Sequence, residues 1–167
     1  METPLKGTGR YISSDRPMLL RTAFAFALIA TAPHAFEAGQ VIEGRATAKD
    51  GDGVVIDGVE VRMQGVAAPE DNAFRVDPGG PAATRALAGR IDGEIVQCEL
   101  DGTQARGRPV GICFHDGDDL GALLIRQGYA RDCPRYSGGR YRSEKLQARQ
   151  DGRDLSTAYE LPGYCTR

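Results

Sequence analysis

Residues 53–64 read GVVIDGVEVRMQ, and this stretch constrains the fold more than any other. Asp57-Gly58 is a two-residue hairpin signal, because the favoured tight turn needs positive φ at both central positions. Beyond it Val59, Val61 and Met63 alternate with Glu60, Arg62 and Gln64, so one face is core and the other is wet. Residues 41–48 (VIEGRATA) come before, across the bend Lys49-Asp50-Gly51-Asp52-Gly53. Together they predict a meander of three strands.

The remaining pattern is mixed. Residues 67–80 (AAPEDNAFRVDPGG) read as a loop, and Pro81 opens a helix to about Ile91. Residues 95–100 predict a strand with Val96, Cys98 and Leu100 on one face; 101–108 predict a loop and 110–114 another strand. Residues 116–119 make a turn and helix cap, 120–127 a short helix stopped by Gly128, and about 140–149 a last helix. Strands and helices do not alternate, which excludes a doubly wound parallel sheet. The expected class is α+β: five short strands and two or three helices in a closed or partly closed barrel such as the OB-fold. The 22 glycines of this 167-residue chain suit such a turn-rich architecture.

Residues 1–35 read as a targeting segment. Arg16 and Arg21 precede an apolar run from Thr22 to Ala32, shorter than the ~20 residues that span a bilayer, and small residues follow. This predicts a secretory signal peptide, with Met18 as an alternative start and Ala35 the favoured cleavage point, and one domain over 36–167. No stable membrane insertion is expected after cleavage, and the domain is expected to be periplasmic or secreted, and monomeric. Cys98, Cys113, Cys133 and Cys165 all fall in that domain without a C-x-x-C motif, as two disulfides would require. Four cysteines admit three connectivities; Cys98 with Cys113 and Cys133 with Cys165 is favoured, because the first two lie on strands a short loop apart and the second pair ties down the C-terminus.

Residues 36–167 carry 17 Lys+Arg and 21 Asp+Glu, so 17 − 21 = −4. That excludes a protein living by unspecific polyanion binding, which would be basic. From Arg126 to Arg153, however, eight basic residues face only Asp132, Glu144 and Asp151.

Three places can carry chemistry: the carboxylates of Asp50-Gly51-Asp52-Gly53, Arg62 with Glu70 beyond its strand, and Arg108 at the mouth of a later strand. Singly, each is ordinary turn or surface chemistry. Together, DGDG, VRMQGVAAPE (61–70), RGRPVG (106–111) and LIRQGYA (124–130) resemble the staphylococcal nuclease family over about residues 41–155, in order and at nearly the family's spacing. The resemblance implies a five-stranded OB barrel with three helices and calcium-assisted hydrolysis of DNA and RNA. It implies Arg62 and Arg108 on the phosphate, Glu70 as general base and metal-site carboxylate, and Asp52 on the metal. It also implies substrate contact by Tyr136 and by position 106, where Arg106 replaces a tyrosine.

The departures lie in the metal half. A ligating aspartate is Ala67, and the threonine after the first metal aspartate is Gly53. Calcium takes about six to eight oxygen ligands, and its affinity follows the carboxylates supplied. The expected activity is therefore an exported phosphodiesterase of DNA or RNA, weakened by one missing ligand. The alternative is a catalytically inactive OB-fold binding module of the cell envelope.

Overall fold

A computed structural model of the protein describes residues 36–166, so the signal peptide expected within 1–35 lies outside the described residues. The chain runs β1 (Ala38–Asp50), β2 (Gly53–Ile56), β3 (Val59–Met63), β4 (Val66–Ala67), β5 (Asp71–Asn72), β6 (Arg75–Val76) and α1 (Gly80–Ile91). It continues through β7 (Ile95–Ala105), β8 (Arg108–His115), β9 (Asp118–Asp119), α2 (Leu120–Gln127), β10 (Arg131–Asp132), α3 (Pro134–Ser137) and α4 (Arg142–Gln150). Short 3-10 turns at Leu155–Thr157 and Gly163–Cys165 complete it.

The main sheet is ordered β3-β2-β1-β7-β8-β9, and a parallel pairing of β3 with β8 closes the first five strands into a barrel. This is the α+β OB-type fold that the strand pattern predicts. Three hairpins use the same device: Asp57-Gly58, Arg106-Gly107 and Asp116-Gly117 all have positive φ at both positions, with strand partners directly on either side. Inside, Val54, Ile56, Val61, Met63 and Val96 pack with Leu87 and Ile91 of α1 and Leu120 and Ile125 of α2. Each such side chain removed from water contributes about 1.5–3 kcal/mol. Asp119 caps α2 by accepting from the Ala122 amide, and Gly128 ends it in the left-handed region, both as expected.

Two segments read as loops hold strands. Residues 101–105 continue β7 past the core, across a register shift between Leu100 and Gln104. This arm has no buried face, so DGTQA shows no apolar alternation. Within 67–80, β5 and β6 form a small hairpin whose turn is held by the Asn72 side chain, accepting from the amides of Phe74 and Arg75 at 2.9 and 3.0 Å. The last helix starts two residues later than expected, and α3 adds a single turn before it.

The two disulfides are Cys98–Cys113, between directly opposed residues of β7 and β8, and Cys133–Cys165, from the start of α3 to the C-terminal tail. No helix among the described residues is long and apolar enough to cross a membrane.

Candidate functional site

Alternation along β3 sends Val61 and Met63 into the barrel and Glu60 and Arg62 to its outer face. The parallel register sets Arg62 opposite Val110, so Arg108 stands two residues earlier on the neighbouring strand, beside Glu60. Two residues along a strand span about 7 Å, so the two arginines project from nearby positions on adjoining strands. Neither is idle. Arg62 Nη1 lies 2.7 Å from Asp52 Oδ1, and Arg108 Nη1 lies 2.8 Å from Glu60 Oε1. Glu60 was not singled out in the sequence, although its place on Arg62's face was legible there; what was not legible is that the barrel's closing strand brings Arg108 to it.

Asp52 is buried on the bend between β1 and β2, where its second oxygen accepts from the Ala68 amide at 3.0 Å. Gly51 allows the approach: a Cβ there would sit 2.6 Å from Ala68 Cβ and 2.7 Å from Ala83 Cβ. Burial pushes the Asp52 carboxyl up to about 7, against the pull of Arg62 and the Ala68 amide and with help from Asp50 and Glu70. For Arg62, burial acts downward, but Asp52, then Tyr164, Asp50 and Glu70, outweigh it and hold the guanidinium charged.

A carboxyl raised on folding binds more protons in the native than in the unfolded chain, so its contribution to stability is lost as pH rises through the folded value. Stability should fall by about 2–3 kcal/mol between pH 5 and 8 on this account, with folded and unfolded values near 7 and 4. Asp77, held low first by the Arg75 hydrogen bond, acts in the opposite sense and only as pH falls below this window. Urea titrations of wild type and Asp52→Asn across that range check it: the variant should lack the decline, and parallel profiles would refute the assignment.

Glu70 lies at the end of the turn after β4. Its backbone amide donates to Asp77 Oδ2 at 3.2 Å, and its side chain accepts from Asn72 Nδ2 at 2.7 Å. A Cβ on Gly80 would collide with the Glu70 carbonyl, so glycine is what lets the start of α1 pack here. Glu70 acts on both Asp52 and Arg62 electrostatically, so it belongs to the same neighbourhood.

Ala67 is different. It pairs with Arg131 across β4 and β10 and is buried with Cys133, Tyr159 and Cys165, flanked by Leu155 and Leu161. The C-terminal tail therefore covers the position where the resemblance implied a metal carboxylate. Every buried side-chain nitrogen or oxygen among the described residues has a hydrogen-bond partner, and no three His, Cys, Asp or Glu side chains among them converge as a ligand set. Asp52 has its oxygens engaged by Arg62 and the Ala68 amide. This donor set does not fit calcium.

Arg106 occupies the exposed tip of the β7–β8 hairpin, one turn from Arg108. Tyr136, half exposed on α3, meets the half-exposed Tyr164 of the tail edge to face at 6.3 Å between ring centroids, with the Arg135 guanidinium 5.7 Å from the Tyr136 centroid. Tyr159 and Tyr164 escaped the sequence reading because the tail shows no periodicity. Their one signal was Cys165, whose partner at position 133 brings residues 159–165 back to the site.

A family model described as staphylococcal nuclease homologue matches residues 60–155. The succinoglycan biosynthesis protein ExoI of Rhizobium meliloti (strain 1021) is 32% identical over 127 residues, 71% of this chain. The chain spans 66% of that relative's length.

Proposed function

The chain belongs to the staphylococcal nuclease family, and from that we propose that it is an exported phosphodiesterase that hydrolyses DNA or RNA slowly and without reliance on calcium. The observation that carries this reading is that Arg62 and Arg108 project from nearby positions on adjoining strands, with Glu70 two residues beyond the Ala68 amide that binds Asp52. Arginine suits the work because its planar fork donates two hydrogen bonds to phosphate oxygens and stays charged. Both arginines would also stabilise the charge that builds on phosphorus oxygens as water attacks. Glu70 would take the water's proton, the phosphorus–ester oxygen bond would break, and the departing alkoxide would be protonated by solvent. Asp52 then serves as the buried brace that aims Arg62 rather than as a metal ligand. Glu60 competes with phosphate for Arg108, one physical reason to expect a slow enzyme. Export rests on the basic flank and short apolar run before residue 36 together with the two disulfides.

A second reading, an inactive OB-fold module that binds nucleic acid or another anionic polymer, is favoured by the burial of Ala67 under the tail. The relative ExoI is named for succinoglycan biosynthesis. One assay separates them. The disulfide-bonded protein is incubated with plasmid, single-stranded DNA and RNA in calcium, magnesium, manganese or chelator, beside Glu70→Gln. We expect cutting of similar rate in calcium and chelator, reduced about 100- to 10,000-fold by Glu70→Gln. Absence of cutting by the wild type on every substrate would leave the binding module.

A further inference from the structure

We propose that the C-terminal tail builds a nucleobase subsite beside the phosphate patch, with Tyr164 as its principal wall and the Cys133–Cys165 disulfide as its fastening. The proposal rests on the phosphate reading above and goes beyond it, since Tyr164 lies outside the stretch 60–155 that matches the family model.

Three observations meet here. Tyr164 and Tyr136 are 45% and 49% exposed, yet their rings form a defined edge-to-face corner with 63° between planes. Each is placed by one end of the same disulfide: Tyr164 immediately precedes buried Cys165, and Tyr136 follows buried Cys133 by three residues on the turn of α3. The corner is also flanked by cations. Arg135 stands over Tyr136, and Arg62 Nη2 reaches the Val66 carbonyl at 3.5 Å, next to Ala67, which is buried in one cluster with Cys165, the neighbour of Tyr164.

A flat ring next to a phosphate is what such a corner recognises. Bases stack on aromatic faces with little regard to sequence, and the neighbouring guanidinium takes the backbone charge. Carbohydrate also packs on tyrosine faces, but a neutral sugar would leave the flanking arginines without a partner. The occupant that uses both parts is a nucleotide of a single strand.

The test measures binding of the full-length, disulfide-bonded wild-type chain to two fluorescein-labelled phosphorothioate oligomers, one of oligothymidylate and one abasic, equal in length and charge. The base-bearing probe should bind about tenfold more tightly. Tyr164→Leu should remove that preference while leaving the abasic probe unchanged, and Tyr164→Phe should keep it. Equal affinity of the wild type for both probes would overturn the subsite and leave the phosphate patch standing. Failure of both probes to bind would overturn the subsite together with the nucleic-acid reading. Displacement of the base-bearing probe by an acidic polysaccharide, but not by unlabelled oligothymidylate, would overturn it in favour of a carbohydrate surface. The wild-type comparison of the two probes requires no variant to fold.

Discussion

Ala67→Asp should destabilise the protein by about 3–5 kcal/mol near neutral pH rather than restore a calcium site. By sequence the substitution looks like repair, since it returns a carboxylate to the position where the family holds one. The structure makes it damage. Ala67 is 1% exposed and packs against Tyr159 and the Cys133–Cys165 disulfide, with Leu155 and Leu161 at the edge. None of these side chains supplies a cation. The nearby Arg131 guanidinium, cross-strand from Ala67, donates from Nη1 to the Tyr159 carbonyl at 2.7 Å, which holds the tail in place. An introduced carboxylate either draws Arg131 off the Tyr159 carbonyl and loosens the tail, or stays protonated with its pKa raised, and both cost stability. Thermal and urea melts with and without calcium check this. A calcium-dependent rise in Tm accompanied by faster DNA cleavage would show instead that the tail yields and a metal site forms.

The contrast between Ala67 and Arg62 shows where a sequence stops being informative. Arg62 was legible because a strand alternates with period two: once Val61 and Met63 are core, Arg62 and Glu60 must be outside. The meander, α1 with its opening proline, α2 with its aspartate cap and glycine stop, and the disulfide pairing were legible for equally local reasons. The arm 101–105 was not, because a strand that leaves the core carries no apolar alternation to read. The hairpin turn Arg106-Gly107 adopts the same geometry as Asp57-Gly58, but arginine is a rare first residue for it. The site divides along the same line. Arg62, Glu70 and Arg108 could be found from motifs, whereas the Glu60–Arg108 pair depends on strand closure and the burial of Ala67 on a tail 88 to 98 residues later in the chain, from Leu155 to Cys165. Long-range contacts of this kind decide whether a ligand position faces solvent or a wall, and no window along the chain contains both partners.

Removing the Cys133–Cys165 disulfide should cost about 3–4 kcal/mol by the loop-entropy account, and should do so through the tail. The bond closes a loop with a sequence separation of 32, against 15 for Cys98–Cys113. Length alone makes the two differ little. What separates them is the support each has besides the bond. Cys98 and Cys113 are paired within the β7–β8 ladder and buried in the main core. The tail has two single-turn 3-10 segments, the Arg131 bond to the Tyr159 carbonyl, and a small apolar cluster in which Cys133 and Cys165 are themselves two of the members. In Cys133→Ala/Cys165→Ala the segment 155–165 should therefore open before the barrel does. Hydrogen exchange should show the amides of Ala158, Tyr159 and Cys165 losing protection while those of β7 and β8 keep theirs. The preference for base-bearing over abasic oligomers should vanish in the same variant. Uniform loss of protection across barrel and tail would mean that the tail is part of one cooperative unit, and would remove the reason for treating the disulfide as the fastening of a separate subsite.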